Sequence, residues 1–450
     1  MTGLERRSVG LLAAIYALRM AGLFLIFPVF SLYAEGLTGQ TPVLIGLALG
    51  AYGLTQALLQ LPYGVASDYL GRKPVIAAGL LVFAVGSALA AVSTSIWGVI
   101  LGRALQGAGA IAAAVMALVA DLTREEQRTK AMAVIGVTIG GSMLLSLIIG
   151  PVLNGMIGVP GIFWLTCVLA LAATVVLVVA VPSPVRAEPR AFESPMAQFP
   201  RILRDPQLLR LDAGIFFLHM TITAMFLVLP HAIVNHMGLA AAEHWKVYLP
   251  VMAAGVVTMV PFLILGGRGE RMRALLSGAV ALLILAQVLF YFRYDSPFWL
   301  IAGLWIFFSG FNLLEATLPS LISRLAPAES KGAAIGVYST AQFLGAFVGG
   351  AAGGWIHGAA GIGAVFLFAA IGLGLWFMLV LTMPALHLLS TRAIEIGRRD
   401  PAQAQKLARK LTAVTGVAEA IVLAEEGIAY LKVDSRSFDE QAVRKVLTSA

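Results

Sequence analysis

The sequence predicts an all-α polytopic membrane protein: twelve transmembrane helices in two pseudo-symmetric six-helix bundles, followed by a small α+β domain at the C-terminus. Three observations predict this class: an apolar composition, a succession of long apolar runs, and an unequal distribution of basic loops. Hydrophobic residues make up 59% of the 450 and charged residues 12%, whereas soluble domains carry about 25% charged residues. A chain this long and this apolar needs lipid as part of its solvent.

Each of the twelve apolar runs is long enough for a bilayer, which a helix of about 20 residues can cross. Backbone groups in lipid must be hydrogen-bonded within the chain, and the runs lack the alternation of a β-barrel, so they are predicted to be helices. The predicted spans are Ser8–Tyr33, Val43–Ser67, Pro74–Val92, Ile96–Val119, Ala131–Ile157, Gly161–Val181, Leu208–Val234, Val247–Gly266, Ala274–Phe292, Phe298–Ile322, Ala333–Ile356 and Ile362–Met383.

The even number of crossings places both termini on one side of the membrane. Seventeen Lys and Arg residues lie in the N-terminal segment and the loops on that side, whereas the opposite loops hold only Lys246 and Arg293. Because basic loops stay on the cytoplasmic side, both termini are expected in the cytoplasm. The basic residues are dispersed among short loops, so the net charge of +8 indicates orientation and not nucleic-acid binding.

A Pro-rich, basic segment divides the spans six and six, and a weak internal repeat relates the two halves. Ile135-Gly136-Val137 recurs as Ile335-Gly336-Val337. Halves with an even number of crossings face the same way, and a substrate site is expected between them near the middle of the membrane. The predicted domains are an N-terminal bundle (1–181), a cytoplasmic linker with a short helix near Ala197–Leu203 (182–207), a C-terminal bundle (208–384) and a cytoplasmic βαββα domain of ferredoxin-like type (385–450).

A charged turn lies between the second and third spans and contains Gly64, Asp68, Gly71, Arg72 and Lys73. Its spacing, G-x-x-x-D-x-x-G-R-K, resembles the signature loop of the major facilitator superfamily. The usual leucine and first arginine of that signature are replaced here by alanine and tyrosine.

This resemblance implies a conformational latch. Asp68 is expected to meet the N-terminal end of the eleventh helix near Lys331–Ala334, where free N–H groups and the helix dipole favour an anion. Arg72 is expected to pair with Asp121 at the end of the fourth span. The latch would close the cytoplasmic side in one state of a two-state transporter. The alternative is a plain basic anchor on the cytoplasmic side.

Two further stretches resemble motifs of the same family. Residues 102–107, which include Arg103, are similar to a signature with an arginine inside the membrane. Gly150, Pro151 and Gly155 are similar to the antiporter signature G-P-x-x-G-G, with Asn154 in place of one glycine. Over essentially the whole length, the chain resembles the YajR-type group of proton-driven efflux proteins, which also carry a ferredoxin-like domain at the C-terminus.

Two arginines lie deep inside predicted spans, Arg19 in the first and Arg103 in the fourth. A charge there costs at least ~2.5 kcal/mol, so each should face protein or water. Family resemblance implies that Arg103 takes part in proton transfer. Because arginine hardly titrates, its effect would be electrostatic, on a neighbouring carboxyl group or a passing cation. Arg19 is expected to line the central cavity, where it would tune a nearby acid or meet an anionic substrate. The alternatives are a structural ion pair for Arg103, and snorkelling or bonds to backbone carbonyls for Arg19.

Glu315 is the one acid expected to be buried within the spans, with Asn312 one turn earlier on the same face. Carboxyl groups in a low dielectric favour the protonated form, as proton coupling requires. The alternative is an ion pair with a basic residue such as Arg324. His219, midway along the seventh span, could titrate near neutral pH, although a lone helix histidine is more often simply hydrogen-bonded.

Polar side chains also recur at helical spacing on two other spans. Tyr52, Gln56 and Gln60 form a stripe on the second span, and Tyr338 and Gln342 form one on the eleventh. Such stripes suit the wall of a moderately polar cavity, or equally a helix–helix contact.

The resemblance to the YajR-type group and the antiporter-like signature imply a proton-coupled antiporter that exports amphiphilic, drug-like molecules across a bacterial inner membrane. The proton gradient would supply the energy, with no cofactor, because the sequence lacks a G-x-x-x-x-G-K-[ST] loop for ATP. No metal-ligand or catalytic constellation is present, and the single Cys167 excludes an intrachain disulfide. The expected partners are the lipid bilayer, a small-molecule substrate and protons, with the protein as a monomer. The alternatives are a facilitator or proton symporter for a small metabolite, and a sensor regulated through the C-terminal domain.

Overall fold

The structure is a computed structural model that describes residues 1–183, 200–266, 271–326, 331–384, 390–397, 400–424, 427–433 and 438–448. The predicted linker lies largely outside the described residues; of its expected helix, residues 200–202 are described and are helical. The helices before residue 384 are α1 (Gly3–Phe24), α2 (Phe27–Ala34), α3 (Pro42–Leu70), α4 (Arg72–Val92), α5 (Ile96–Ala108), α6 (Ala112–Asp121), α7 (Glu125–Ala180), α8 (Pro206–Met237), α9 (Trp245–Gly266), α10 (Met272–Arg293), α11 (Pro297–Leu325) and α12 (Lys331–Leu381).

Local sequence explains where the long helices begin. Thr41 caps α3 because its hydroxyl accepts the N–H of Leu44 at 3.3 Å, and a proline follows at the first helical position. Asp205 caps α8 in the same way, accepting the N–H of Gln207 at 2.8 Å. Both are the residue types that satisfy free N–H groups at a helix N-terminus.

Ten helical segments among the described residues are long and apolar enough to cross a membrane. Two of them are too long for one crossing: α7 has 56 residues and α12 has 51. At 1.5 Å per residue, such helices would extend about 84 and 77 Å, against a hydrocarbon core of about 30 Å. Each contains one glycine with non-helical backbone angles, Gly158 (φ 68°, ψ 172°) and Gly361 (φ 81°, ψ −175°), in a region that favours glycine.

Contacts at the two ends of α7 demonstrate that it is a hairpin. Asp121, just before α7, accepts a hydrogen bond from Arg72 at 3.1 Å. Lys73, the residue after Arg72, donates to the carbonyls of Val178 and Val181 at the other end of α7, at 3.2 and 2.7 Å. Both ends of α7 therefore meet the same turn, and the chain reverses at Gly158.

The same holds for α12, whose two arms comprise residues 331–360 and 362–381. Gly349 on the first arm and Gly372 on the second both pack against Met220 of α8, which a straight helix could not do. The two reversals turn ten segments into twelve crossings, and the predicted fold class is confirmed.

Two of the predicted spans are each divided into two helices. The first becomes α1 and α2, because Pro28 in the first turn of α2 has no N–H to continue the hydrogen bonds of α1. The fourth becomes α5 and α6, where the N–H of Ile111 bonds the carbonyl of Gly109 at 2.8 Å instead of one a full helical turn back.

A row of glycines brings α3 into backbone contact with the first arm of α12. A Cβ added to Gly50 would lie 2.8 Å from the carbonyl oxygen of Phe347, and one on Gly53 would lie 2.5 Å from that of Phe343. Real Cβ atoms do not approach backbone so closely, so only glycine permits this packing. We call this contact between the two halves the glycine seam; it also includes Gly46, Gly350 and Gly354.

The glycine seam lies towards one end of the bundle. The carbonyl oxygen of Pro42, at the start of α3, is 2.5 Å from the position of a Cβ on Gly354. Glu35 immediately follows α2 at this end. We call this end the Glu35 face and the opposite end, which carries Asp68, the Asp68 face. Near the Asp68 face the contact ends: Gly332, in the first turn of α12, has no atom within 4 Å of its added Cβ.

The C-terminal unit is a small α+β fold of its own, as predicted. Its three strands form an antiparallel sheet in the order β1-β3-β2. Two helices cover the sheet around a core that includes Leu407, Leu431 and Val443. The elements are β1 (Ser390–Glu395), α13 (Pro401–Thr412), β2 (Val417–Leu423), β3 (Ile428–Val433) and α14 (Glu440–Thr448).

Gly46→Ala is expected to separate the two halves at the Glu35 face, because its Cβ would occupy the position of the Gly350 carbonyl oxygen. Overpacking costs about 1–3 kcal/mol, so a wider conformation should gain roughly 5- to 150-fold in population. Spin-label distances between Gln40→Cys and Ala359→Cys, in a Cys167→Ser background, measure the separation.

The matched control is Gly374→Ala, which lies in the same helix α12 and whose Cβ has no atom within 4 Å. It should leave the distance distribution unchanged. Equal distributions in the Gly46 and Gly374 variants would show that the seam does not hold this face closed.

Candidate functional site

The turn between α3 and α4 is built around Gly71 and Arg72. Gly71 has φ 97° and ψ 148°, which lets α3 end and α4 begin at the next residue. The Arg72 guanidinium forms an ion pair with Asp68, donates to Asp121 Oδ2 at 3.1 Å and donates to Ser67 Oγ at 2.7 Å. Arg72 thereby holds α3, α4 and α6 together, and its bond to Asp121 is the pairing that the resemblance implies.

The expected contact of Asp68 with α12 is absent in this conformation. Among the described residues, Asp68 pairs with Arg72, and no hydrogen bond joins it to residues 331–334. Its side chain is 44% exposed. The halves are in contact at the glycine seam instead, so in this structure they are closed at the Glu35 face and the expected latch contact at the Asp68 face is not formed.

Gly64 and the antiporter-like motif have packing roles in the structure. A Cβ on Gly64 would lie 3.2 Å from that of Ala113. Gly150 packs against the carbonyl of Leu25 at the break between α1 and α2, and a Cβ on Gly155 would lie 2.8 Å from Ala242 in the C-terminal half. Pro151 lies within the first arm of α7, beside this contact. The motif therefore belongs to the packing of the Glu35 face.

A polar contact reinforces the same face. His231 of α8 lies 3.4 Å from the Glu35 carboxylate of the N-terminal half, measured from Nδ1 to Oε1. The ring of His357, near the reversal of α12, stacks 6.3 Å from that of His231. The three side chains join the halves where the glycine seam also joins them.

Arg19 is fully enclosed, with 2% of its surface exposed. Its Nη2 donates to Gln56 Oε1, and Gln56 Nε2 in turn donates to Gln60 Oε1 at 3.2 Å. The polar stripe of α3 is thus a chain of hydrogen bonds that begins at Arg19. The other two nitrogens of Arg19, Nε and Nη1, have no hydrogen-bond partner in the structure.

Arg103 is also fully buried. Its Nη1 donates to Gln106 Oε1 at 2.8 Å, and its Nε donates to the Ala48 carbonyl at 3.4 Å. Gln106 Nε2 in turn donates a hydrogen bond to Ser87 Oγ at 2.7 Å, which extends the network. The ring of Tyr52 lies between the two arginines, 5.1 Å from the Cζ of Arg103 and 5.7 Å from that of Arg19. Such cation–π contacts stabilise a guanidinium where water is excluded.

The described residues offer no carboxylate to either arginine: the ion pairs among them do not include Arg19 or Arg103. The expectation that Arg103 acts on an adjacent carboxyl group is therefore not met within its own half. Two buried cations of the N-terminal half are held only by neutral amides, carbonyls and an aromatic ring.

The C-terminal half holds His219 and Gln342 together. His219 Nε2 lies 2.7 Å from Gln342 Nε2, and its Nδ1 lies 3.3 Å from the carbonyl of Ile215. Gln342 donates to Nε2 and Nδ1–H donates to the carbonyl, which is the pattern of a neutral imidazole with its proton on Nδ1. Both sequence-predicted residues thus occupy one hydrogen-bonded unit between α8 and α12.

Glu315 lies on α11, and its Oε2 is buried with no hydrogen-bond partner. The ion pair with Arg324 that the sequence left open is not formed among the described residues. The amide nitrogen of Asn312, one turn earlier on the same helix, is likewise buried without a partner. Glu315 therefore carries an uncompensated acidic group in the interior of the C-terminal half.

The sequence predicts Glu315 to be the only acid buried within the spans, but the structure buries a second one. Asp212 of α8 is 6% exposed, and neither of its carboxyl oxygens has a hydrogen-bond partner. Its location within the predicted span Leu208–Val234 was the available signal. Packing of α8 against α12 encloses it: a Cβ on Gly214, two residues on, would lie 2.9 Å from the Trp376 side chain. Buried carboxyl groups therefore occupy two helices of this half.

Among the described residues, no group of three or more His, Cys, Asp and Glu side chains is arranged to hold a metal ion. In the described interior, charged side chains occupy two separate regions. Arginines lie in the N-terminal half, and carboxyl groups lie in the C-terminal half. Each set lacks partners of opposite sign in its own half.

Comparison with known proteins agrees with this architecture. The family model of the Major Facilitator Superfamily matches residues 12–350 and, in a second match, 264–416. The inner membrane transport protein YajR of Escherichia coli K12 is 43% identical over 451 residues, which cover 99% of each chain. The multidrug resistance protein MdtH of Yersinia enterocolitica is 27% identical over 346 residues, covering 75% of this chain and 83% of that protein.

A solved structure shares the fold. The crystal structure of a bacterial homolog of the human lysosomal transporter Spinster, in an inward-facing and occupied conformation, superposes with a TM-score of 0.71 at 11% identity. The match covers 85% of this chain and 97% of that one. The sequence-based expectation of a transporter and not an enzyme is confirmed by the family and by its full-length relative. The chain belongs to the major facilitator superfamily of membrane transporters.

Proposed function

We propose that this transporter is a proton-coupled antiporter that exports amphiphilic small molecules from the cytoplasm across a bacterial inner membrane. The proton gradient would be its energy source, without a bound cofactor, and both termini would lie in the cytoplasm with the Asp68 face. The full-length similarity to an inner membrane transport protein supports this location.

The observation that carries the proposal is Glu315, an acidic side chain inside the membrane whose Oε2 is buried without a partner. An unpaired buried carboxylate costs several kcal/mol, so such a group takes up a proton or a cation to lose its charge. Such a site is neutral only while a proton or cation is bound to it. Proton binding is therefore coupled to the conformation in which water reaches the carboxyl group. That coupling is what an antiporter needs.

Two contacts between the halves support alternating access. In this state the glycine seam and the Glu35–His231 contact close the Glu35 face. The turn at Asp68 is already held together by Arg72 and leaves its acid half exposed. Rocking the halves would break the seam and bring Asp68 towards the first turn of α12, where free N–H groups favour an anion.

Aromatic rings at the boundary between the halves support an amphiphilic substrate. Tyr52 of α3 lies 6.2 Å from Phe343 of α12, and Phe27 of α2 stacks 6.3 Å from Phe226 of α8, both measured between ring centroids. Aromatic surface of this kind accepts varied apolar molecules. The similarity to a multidrug resistance protein points to the same substrate class.

Glu315→Gln is expected to abolish proton-coupled exchange while substrate still binds, because an amide keeps the shape but cannot carry the proton. The measurement is substrate and proton flux in proteoliposomes under an imposed pH difference, after a substrate screen with the unaltered protein. Glu243→Gln is the matched control, since Glu243 lies outside the buried sites and pairs with Lys246 at 2.5 Å. Proton movement that survives in the Glu315 variant would assign the coupling to another group.

Arg103→Met should leave the thermal unfolding temperature within a few degrees but lower transport at least about tenfold, equivalent to 1.4 kcal/mol in the barrier. Methionine fills the volume, whereas the charge over Tyr52 and the bond to Gln106 disappear. Arg103→Lys, which keeps the charge without the planar donor group, should recover part of the activity. Transport and its pH profile equal to those of the unaltered protein would reduce Arg103 to a packing role.

Asp68→Asn should slow transport at least about tenfold without loss of folded protein, since an amide weakens both the bond to Arg72 in this state and the proposed contact with α12 in the other. Asp295→Asn, at an exposed aspartate in the loop between α10 and α11, is the control. Full activity of the Asp68 variant in proteoliposomes would contradict the latch.

A further inference from the structure

We propose that Asp212 is a second proton-carrying carboxyl group, and that together with Tyr338 it connects Glu315 to the Asp68 face. This inference deepens the proposed function and rests on it. It assigns a role to Tyr338 and to Asp212, and the sequence pattern did not identify Asp212 as a candidate.

The first step is that several polar groups of the C-terminal half are buried without hydrogen-bond partners, and three of them carry this inference. They are the carboxyl group of Asp212 on α8, Oε2 of Glu315 on α11 and the hydroxyl of Tyr338 on α12. Asp212 and Tyr338 are 6% and 5% exposed. Buried polar groups in folded proteins are almost always hydrogen-bonded, and a buried carboxyl group without a partner avoids the cost of its charge by holding a proton.

The second step is that α12, which carries Tyr338, packs against both α8, which carries Asp212, and α11, which carries Glu315. A phenol can donate one hydrogen bond and accept another, so it can join two carboxyl groups that do not touch. Asn312 of α11 and Thr340 of α12 also present buried polar atoms without partners. In the described chain, none of the ion pairs formed by a basic side chain includes Asp212 or Glu315, so protons are the charge-neutralising partners at hand.

The third step is depth. Asp212 lies six residues after the start of α8 at Pro206, about 9 Å along the helix. Tyr338 lies seven residues after the start of α12, about 10 Å along. Glu315 lies ten residues before the end of α11, about 15 Å along. The starts of α8 and α12 and the end of α11 all lie at the Asp68 face, so Glu315 is the deepest of the three. Gly345 of α12 packs against Phe216 of α8, which places Asp212 and Tyr338 within about one helical turn of each other in height, between Glu315 and that face.

This arrangement defines a proton transfer that balances. None of the three groups is hydrogen-bonded to another in this structure, so water molecules would bridge them: the Glu315 carboxyl group gives its proton to the chain of water and Tyr338, and that chain gives a proton to the Asp212 carboxylate. Tyr338 is neutral before and after, Glu315 becomes a carboxylate, and Asp212 becomes the acid. Asp212 then releases the proton to water at the Asp68 face, and the reverse sequence reloads Glu315.

The decisive experiment labels the full-length protein in lipid nanodiscs with dicyclohexylcarbodiimide, an apolar reagent that adds to protonated carboxyl groups. At about pH 7, where carboxyl groups in water are ionised, peptide mass spectrometry should find adducts on Asp212 and Glu315. Asp295 is exposed and should remain unlabelled. Absence of an adduct on Asp212 overturns the proposal, whether or not Glu315 reacts.

A second measurement tests the connection. In proteoliposomes, Asp212→Asn should slow substrate-driven proton movement at least tenfold, and Tyr338→Phe should slow it to a smaller extent. Asp212→Glu, which keeps a carboxyl group, should restore most of the rate and so separates loss of the proton site from loss of folding. Tyr294→Phe is the control for the hydroxyl deletion.

The outcomes separate this inference from the proposed function. If the unaltered protein moves protons and the Asp212→Asn variant moves them at the same rate, the role of Asp212 is refuted while proton coupling stands. If the unaltered protein moves no protons with any substrate of the screen, the proposed antiport fails. In that case the labelling result still decides whether Asp212 holds a proton.

Discussion

The interior of this transporter is governed by the cost of placing charge where water is absent. Arg19 and Arg103 in the N-terminal half are held by glutamines, a backbone carbonyl and the ring of Tyr52. The carboxyl groups of Asp212 and Glu315 in the other half lack even that support. Neutral dipoles stabilise the two cations in place, whereas the two acids have no such partners among the described residues. On the proposed mechanism, this asymmetry would make the C-terminal half the one that responds to protons.

The arrangement of the turn at Asp68 follows from one backbone feature. Gly71 ends α3 and starts α4 within a single residue, which places Arg72 and Lys73 side by side at the entry to the next helix. Arg72 reaches Asp68 and Asp121, and Lys73 reaches the end of α7. Four helices of the N-terminal half are thereby fixed at this face, so the half can move as one body.

Much of this architecture could be predicted from local sequence. The apolar runs located the crossings, and the predicted gaps before Gly161 and Ile362 lie beside the reversals at Gly158 and Gly361. The breaks at Pro28 and Ile111 were not predicted, because a run stays apolar across a helix break. Hydropathy indicates whether a segment lies in lipid or in water, but it does not indicate where the backbone hydrogen bonds of a helix are interrupted.

The buried sites were harder to foresee because they depend on packing between distant segments. Asp212 lies near the start of its span, where local sequence suggests a position close to water. It is buried because α12 covers that part of α8, through contacts such as that of Trp376 with Gly214. The pairing of Arg19 with Gln56, and of His219 with Gln342, likewise joins residues far apart in sequence. Spacing on one helix identifies a face, but not what lies opposite.

The glycine seam also determines how the halves can part. Where large side chains interdigitate, separating two surfaces requires many rotamers to rearrange. Here the facing surfaces are bare peptide groups, with carbonyl oxygens lying against glycine Cα atoms. Such surfaces have no interlocking side chains, so the two halves can separate there without changes of rotamer. Backbones this close also leave no room for water between them, so closure at this face is tight and its release abrupt.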